Sequence, residues 1–328
     1  MSLMISVILS SSGNPVFLKR CLEALVKQTL DHRLFEVLVV GAGAEPDGAA
    51  GKVVELFTPT SIAVRCLPSP AGRNAGWQAA AGRLIAFTDD NCLPDEAWLQ
   101  AFVQAYNGAA EAAFAGRVQV PLSIPLNEFE QYTAGQETTD LKAANCCCTR
   151  AALEKAGGFD EHFPMSWLTE SDLEFKLLQQ GIAPRYLPDA LVLRPAYEAS
   201  WRHSIREQKK GMFHAMLYRK YPEFYPLKAF APPPGSDYAR VACTLLAAAG
   251  LLSSLEWLAQ GALICWLLLW TAHTLHRLSA FAPSLPYAAA VALTSALLPF
   301  ASVYWYWYGK WKFRHEAALR PGRFRVQS

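Results

Sequence analysis

An apolar run from Leu84 to Phe87 leads within two residues to the adjacent carboxylates Asp89 and Asp90. The length and bulk of this run are typical of a strand buried in a parallel sheet. Pro94 and the two acidic residues after it predict the start of a helix soon afterwards. Asp89 and Asp90 are therefore predicted to lie on a strand-to-helix connection, at the edge where open α/β sheets hold their ligands.

Two adjacent carboxylates repel each other in a partly dry cleft unless a positive charge lies between them. Hard oxygen ligands suit Mg²⁺ or Mn²⁺, and such a cation can in turn hold a diphosphate. The pattern thus favours a metal site at Asp89 and Asp90. The alternative at this point is a solvated acidic turn whose side chains cap the next helix.

Strand and helix patterns alternate through the N-terminal part of the chain. Short apolar strands are predicted over 4–9, 35–40 and 61–67, and apolar residues recur at helical spacing from Phe17 to Val26. Such β-α-β units require right-handed crossovers and a parallel sheet covered by helices. We expect an α/β fold in which Ser10, Ser11 and Ser12 follow the first strand and Gly41 follows the second.

Five motifs in order give the chain a family resemblance. They are the strand Ile5–Leu9 with the helix Phe17–Leu25, the segment Gly72–Gly76, the strand Ile85–Pro94, the turn Gly157–Glu161 and the helix start Trp167–Lys176. Together they resemble the catalytic domain of glycosyltransferase family 2, and five ordered motifs are more specific than one. The resemblance implies the GT-A fold, with a Rossmann-like, mostly parallel sheet. It also implies transfer of a sugar from a nucleotide-diphosphate sugar with Mn²⁺ or Mg²⁺ as cofactor.

The resemblance also assigns roles to residues. It implies that Asp90, with Asp89, holds the metal and that a carboxylate across the sugar ring takes the proton of the acceptor hydroxyl, so that in-line displacement inverts the anomeric configuration. Aligning Asp172-Leu173 with the family places Glu170 at this base position, with Asp172 as the alternative. From charge pattern alone, both would be first-turn carboxylates favoured by the helix dipole. The implied donor contacts are Ser10, Ser11, Ser12, Gly41, Arg73, Asn74, Asp89, Asp90, Arg206 and Lys210.

The remaining assignments concern residues outside the predicted loops that follow the first strands. The family's basic segment after the last strand meets the diphosphate, which implies the roles of Arg206 and Lys210 and a metal or phosphate contact by His203. A solvated or lipid-facing basic helix is the alternative for this segment. On the acceptor side the resemblance points to Asn145, whereas Trp167 is expected either to stack on a sugar or to pack in the core.

Two loops depart from the family pattern. Many members carry Asp-Asp after the second strand, where an acid contacts the nucleobase, but this chain has Gly41-Ala42-Gly43. The first loop is Ser10-Ser-Ser-Gly13 where Pro-Thr-Tyr-Asn is usual. UDP, GDP and dTDP donors therefore all stay open, with a UDP-sugar as the commonest choice. A non-catalytic membrane scaffold or nucleotide-sugar-sensing subunit on a degenerate GT-A fold is the alternative function.

The composition changes after the proline run Pro232–Gly235. Apolar stretches follow at 241–275 and 287–308, and both exceed the roughly 20 residues that a helix needs to cross the hydrocarbon core. The second ends in aromatic residues beside Lys310 and Lys312, as an interfacial belt before a cytoplasmic flank does. We expect a catalytic domain at 1–230, a linker at 231–240, transmembrane or interfacial helices at 241–308 and a basic tail at 309–328. A pair of buried core helices is the alternative.

Basic residues on both flanks of the apolar region predict that both ends face the cytoplasm, with an even number of crossings of the cytoplasmic (inner) membrane. This location motivates a lipid, lipid-linked or polysaccharide acceptor. The formal net charge of +2 argues against nucleic acid as a partner, and the eight cysteines lack the spacing of a zinc site. A nucleotidyltransferase would also use a metal at a strand end, but the chain lacks a Gly-rich loop containing lysine. An oligomer is compatible with the sequence.

Overall fold

The structure is a computed structural model that describes residues 3–41, 44–57, 62–69, 72–121, 140–161, 166–195, 203–228, 232–279 and 285–314. The chain divides into two compact units. The first unit comprises residues 1–122 and 132–196, and the second unit comprises residues 123–131 and 197–328. Residues 197–230, which we predicted to belong to the catalytic domain, group with the second unit because the helices at 203–220 pack on the last helix of the chain.

The first unit is built on one eight-stranded sheet with the order β3-β2-β1-β4-β7-β6-β8-β5. Strands β1 to β4 run parallel, β7 runs antiparallel to β4 and β6, and β6 is parallel to β8. The predicted α/β class with a mostly parallel sheet is confirmed, and the three predicted N-terminal strands lie within two residues of their expected bounds. The strands are β1 Ile5–Ser10, β2 Phe35–Val40, β3 Ala63–Leu67, β4 Leu84–Asp89, β5 Leu93–Pro94, β6 Ala113–Gln119, β7 Asn145–Thr149 and β8 Arg185–Leu193.

Helices cover this sheet, and the first of them begins at a residue whose side chain caps its N-terminus. The first helix starts at Pro15 because the Asn14 side chain accepts hydrogen bonds from the backbone N–H groups of Val16 and Phe17. It buries an apolar stripe that includes Leu18 and Leu22. The described helices of the first unit are α1 Pro15–Val26, α2 Ala49–Glu55, α3 Arg73–Ala79, α4 Trp98–Ala105, α5 Arg150–Ala156 and α6 Ser166–Gln179.

The helix predicted near Pro94 begins later than expected. Leu93 and Pro94 pair with β8 as the short strand β5, and α4 starts only at Trp98. The Asp95 carboxylate accepts a hydrogen bond from the Ala97 N–H, which forms the turn between the two elements. The acidic residues after Pro94 thus end a strand pairing before they lead into the helix.

The strand register aligns the carboxyl-terminal ends of β1, β2 and β4. Ser10, the last residue of β1, lies beside Val40 at the end of β2 and beside Asp89 at the end of β4. Because parallel strands end at one edge of a sheet, the loops after β1, β2 and β4 meet there. Buried apolar clusters on both faces of the sheet hold these strands in place.

The second unit is helical. The predicted linker at 231–240 is shorter than expected, because an α-helix begins at Gly235. The apolar stretch 241–275 is a pair of helices joined by a turn in which Ser254 has φ +56. The described helices of the second unit are α7 His203–Gln208, α8 Phe213–Lys220, α9 Gly235–Leu252, α10 Glu256–Leu278 and α11 Leu285–Lys312, with 3-10 turns at Lys209–Met212 and Tyr225–Leu227.

Two of these helices are long and apolar enough to cross a membrane. They are α10 and the part of α11 from Ala288 to Lys312, with mean hydropathies of 1.4 and 1.5. The charged groups near them are paired: the buried Arg240 donates to Asp237 at 2.6 Å and to the Ser295 carbonyl at 3.1 Å. Pairing of this kind is what an apolar environment requires of a buried charge.

Candidate active site

The candidate site lies where β1, β2 and β4 end. The backbone N–H of Ser11 donates to the Val40 carbonyl at 2.8 Å, and that of Asp90 donates to the Ser10 carbonyl at 2.9 Å. Gly41 has φ +116, and a Cβ at this position would lie 3.1 Å from the Ser11 carbonyl oxygen. A glycine at position 41 therefore lets two strand ends approach each other closely.

Asp90 is directed at the loop after β1 and is only 3% exposed. Its Oδ2 accepts hydrogen bonds from the Ser12 N–H at 2.6 Å, the Ser12 hydroxyl at 2.8 Å and the Ser11 hydroxyl at 3.4 Å. Burial raises the pKa of Asp90 although the Ser12 hydrogen bonds oppose that change. The serines that we predicted as donor contacts thus hold the Asp90 carboxylate in place.

Asp89 lies between two arginines. Arg73, at the start of α3, places Nη2 2.7 Å from Asp89 Oδ1, and Arg194, just after β8, places Nη2 4.0 Å from Oδ2. Burial of Arg73 opposes its charge, but Asp89 and Glu170 together raise its pKa. Arg73 Nε is buried without a hydrogen-bond partner in the described part of the chain. Arg194 was absent from our predicted site, although its position directly after an apolar strand is the signal that could have identified it.

Glu170 and Asp172 occupy different environments on α6. Burial raises the pKa of Glu170, whereas Lys142 and Arg73 act in the opposite direction, so this carboxylate lies in the electrostatic field of the site. Asp172 is fully buried, and Lys176 Nζ lies 3.1 Å from its Oδ2. Since α6 begins at Ser166, neither acid lies in the first turn, and the helix-dipole interpretation of the charge pattern was wrong.

Asn74 is occupied by the fold. Its Oδ1 accepts from the Trp77 indole N–H at 3.0 Å and from the Phe159 N–H at 2.9 Å. Its Nδ2 donates to the Phe159 carbonyl and to Glu161 Oε1, each at 2.8 Å. Asn74 therefore fastens the turn 157–161 to α3, beside Arg73, and all its hydrogen-bonding capacity is used there.

Asn145 is likewise a core residue. It is 0% exposed, its Oδ1 accepts from the Trp98 indole N–H at 2.8 Å, and its Nδ2 donates to the Arg117 and Ala190 carbonyls at 2.7 Å each. Both amide N–H groups are used within the fold, and the buried side chain has no exposed surface to offer an acceptor. The side chain that we predicted on the acceptor side therefore lies in the core of the sheet.

Comparison with known proteins accords with this geometry. Residues 6–156 match the family model described as glycosyl transferase family 2. Residues 6–156 form a glycosyltransferase family 2 domain. The chain is 25% identical over 173 residues to the glycosyltransferase AglE of Haloferax volcanii, a match that covers 48% of this chain and 56% of that protein. The chain thus spans about half the length of the curated relative that it matches.

A solved structure has a similar fold. The mannosyltransferase PcManGT from Pyrobaculum calidifontis, in complex with GDP-Man and Mn²⁺, superposes with a TM-score of 0.53 at 18% identity. The superposition covers 95% of this chain and 88% of that one. At this identity the likeness concerns the fold, and it confirms the predicted GT-A-like architecture.

Asp89 and Asp90, at the end of β4, could form a cation site together with phosphate oxygens of a bound nucleotide. Within the described ranges no group of three or more His, Cys, Asp or Glu residues could enclose a metal. Asp89 and Asp90 supply two carboxylates, and the three hydrogen bonds to Asp90 all end on Oδ2. Mg²⁺ in nucleotide sites is commonly bound by one or two carboxylates together with phosphate oxygens and water. These residues therefore fit a divalent cation that binds together with a diphosphate.

The other predicted residues lie elsewhere or outside the description. Arg206 is exposed on α7, and Lys210, in the turn after it, forms an ion pair with Glu207. Both lie in the second unit, so their predicted contact with the donor stays a prediction. The side chains of His203 and Trp167 lie outside the described residues.

Proposed function

We propose that this chain is an inverting glycosyltransferase that moves a sugar from a nucleotide-diphosphate sugar to a hydroxyl group. The proposed acceptor is a lipid, a lipid-linked glycan or a polysaccharide at the cytoplasmic face of the membrane. One observation carries the proposal: at the end of β4, Asp89 lies beside Asp90 and contacts Arg73 and Arg194, and the charge of Asp89 also acts on Glu170. This transfer needs carboxylates that hold a cation, positively charged side chains that bind a diphosphate, and a separate carboxylate that accepts a proton.

Departure of the nucleoside diphosphate places negative charge on its leaving oxygen. Mn²⁺ or Mg²⁺, held by Asp90 with Asp89, would neutralise part of that charge when bound. Arg73 and Arg194 supply positive charge from the protein itself, and the unpaired Arg73 N–H leaves one donor for a phosphate oxygen. Ser11 and Ser12 keep Asp90 oriented throughout.

Glu170 is the proposed general base, with Asp172 as the alternative. Because burial raises the pKa of Glu170, its carboxylate is a stronger proton acceptor than an ordinary glutamate. Asp172 is buried against Lys176, which argues against a contact with the acceptor. Attack on the face opposite the leaving group inverts the anomeric centre.

The proposal extends to the donor, its contacts and the membrane. A UDP-sugar is the proposed donor, and the GDP-Man of the mannosyltransferase complex makes a GDP-sugar the main competitor. Arg206 and Lys210 are proposed to contact the diphosphate, His203 the metal or a phosphate, and Trp167 the acceptor side. We further propose that α10 and α11 anchor the chain in the cytoplasmic membrane with both flanks in the cytoplasm, since both have the length and apolarity to cross it. Release of the chain from membranes by alkaline carbonate would refute that anchoring.

Replacement of Asp90 tests the activity. We expect Asp90→Ala to lower the rate of sugar transfer or donor hydrolysis by at least about 10²-fold, since it removes both a proposed cation ligand and the partner of Ser12. Glu96→Ala, at an exposed acid in the same connection, is the control and should retain activity. Full turnover by Asp90→Ala in the presence of Mn²⁺ would exclude this function.

Calorimetry separates the enzyme from the scaffold or sensor that the altered Gly41 loop suggests. Glu170→Gln should bind the donor as the unmodified chain does and lose turnover. Donor binding by the unmodified chain without turnover across lipid and glycan acceptors would favour the non-catalytic function.

A further inference from the structure

The second unit contains a cavity that the proposed transfer reaction does not use. It has a volume of about 480 Å³ and lies between α8, the turn at Tyr225 and the C-terminal end of α11. Volumes of roughly 300–1,000 Å³ are typical of pockets that hold small ligands. The lining consists of one alanine and the side chains of His214, Tyr218, Arg219, Tyr225, Tyr306 and Lys310.

The cavity is positively charged. Two of its lining residues, Arg219 and Lys310, are cations, and none is acidic. Lys310 Nζ lies 4.4 Å from the ring centre of Tyr306 and 4.8 Å from that of Trp307, and Arg219 donates to the carbonyl of Arg314. Neither cation forms an ion pair within the described part of the chain, so both charges are available to an anion.

The other polar lining groups complement a phosphate. Burial, and to a smaller extent the nearby Tyr306, raises the pKa of Tyr225 to about 12. Its phenol therefore stays protonated and can donate a hydrogen bond at neutral pH. Burial lowers the pKa of His214 to about 4, which keeps this ring uncharged at neutral pH. Two fixed cations with phenolic donors favour a phosphate oxygen over an uncharged ligand.

An apolar stripe on α11 leads to this cavity. Six large exposed side chains recur at spacings of three and four residues, which places them on one face of the helix. The stripe is aliphatic at its start and aromatic towards Lys310, as helices are where hydrocarbon gives way to headgroups. Its members are Leu293, Leu297, Phe300, Tyr304, Trp307 and Trp311.

We propose that this cavity binds the phosphate headgroup of an anionic membrane lipid whose acyl chains lie along the apolar stripe of α11. Arg219 and Lys310 would contact the phosphate, and Tyr218 and Trp307 would flank it at the membrane surface. The proposal rests on the membrane anchoring proposed above and is independent of the sugar-transfer chemistry.

Lipid binding by the full chain in dodecyl maltoside tests this assignment. Phosphatidylglycerol or phosphatidylcholine is added in mixed micelles, and bound lipid is measured by native mass spectrometry and by the shift in melting temperature. We expect phosphatidylglycerol to bind more tightly, and Lys310→Gln and Arg219→Gln each to weaken it about tenfold or more, as loss of a direct hydrogen bond between charged groups does. Lys312→Gln removes the same charge two residues along the same exposed helix end, outside the cavity, and should bind as the unmodified chain does.

Each of three results would overturn the assignment of the cavity to a lipid headgroup. An equal loss in Lys312→Gln would mean diffuse surface attraction, and equal binding of the two lipids would mean that no headgroup is selected. Equal stabilisation by inorganic phosphate or glycerol 3-phosphate would assign the cavity to a soluble phosphate. The melting temperatures of all variants without added lipid must match, so that misfolding is recognised. Donor turnover should be unchanged in Lys310→Gln, so failure here is distinguishable from failure of the glycosyltransferase proposal.

Discussion

Asn145 offers a direct test of whether a polar residue at the sheet centre serves the fold or the acceptor. The resemblance implied an acceptor-side role, whereas its side chain is buried and bonded to Trp98, Arg117 and Ala190. We predict that Asn145→Ala destabilises the first unit and leaves the acceptor dependence of transfer unchanged.

The magnitude follows from the three hydrogen bonds that are lost. Alanine leaves the Trp98 indole N–H and two carbonyl groups without their partner, and each such buried group costs about 1–3 kcal/mol. Partial relaxation around the shortened side chain reduces the sum, so we expect a loss of about 3–5 kcal/mol in the free energy of opening.

Gly116 supplies a matched partner for a double-mutant cycle. A Cβ on Gly116 would lie 2.2 Å from Asn145 Oδ1 and 2.5 Å from its Cγ and Nδ2. Gly116→Ala should therefore cost about 1–3 kcal/mol in the unmodified chain, as overpacking does. In the Asn145→Ala background those three atoms are absent, and the same change should cost much less.

Hydrogen exchange of peptides that cover β6 and β7 measures the opening free energy at the site itself. Transfer kinetics at varied acceptor concentration complete the assay. The reasoning fails if Asn145→Ala leaves exchange from β7 unchanged or if the two substitutions are additive. A raised acceptor KM with unchanged exchange would instead restore the acceptor-side role.

Three further predictions concern the acidic groups. Because burial raises the pKa of Glu170, its stabilising contribution is complete below the unfolded-state pKa of about 4.3 and is lost as pH rises through the raised value, so Glu170→Gln should increase the melting temperature at pH 7 and not near pH 4; an equal shift at both pH values would contradict this. Glu170→Gln should also lower transfer by about 10²–10⁴-fold, whereas Asp172→Asn should retain far more activity, and the reverse order in single-turnover rates would make Asp172 the base. EDTA should abolish transfer, and Mn²⁺ should raise the melting temperature more with a nucleoside diphosphate than without, since Asp89 and Asp90 form an incomplete ligand set; equal thermal shifts would argue against a shared site.

Much of the fold could be predicted because buried parallel strands are short apolar runs. The run 35–40 was predicted with its observed bounds. The antiparallel placement of β7 between β4 and β6 could not be predicted, since a strand buried on both faces has no polar alternation that indicates its neighbours. The grouping of 203–220 with the C-terminal helices depends on contacts between segments far apart in the chain, which the proline run at 232–235 does not indicate.

The sequence predicted residues of the candidate site and did not predict which of them contact each other. Adjacent carboxylates in the sequence gave no sign that Asp89 meets Arg73, which is 16 positions away, or that Asp90 meets Ser12, which is 78 positions away. These contacts depend on the register that aligns Ser10 with Asp89 across two parallel strands. Register is a property of the assembled sheet, so a motif on one strand specifies which groups are present and leaves their partners open.

The two acids on α6 show how the fold separates residues that look alike in sequence. Residues two positions apart on an α-helix point about 200° apart, so Glu170 and Asp172 cannot share one environment. Lys176, one turn after Asp172, lies on the same face and pairs with it in the interior, where its Nζ also donates to the Gly158 carbonyl at 2.9 Å. Glu170 then faces the other way, into the field of Arg73 and Lys142. The pairing of Lys176 with Asp172 is thus the reason that we propose Glu170, and not Asp172, as the general base.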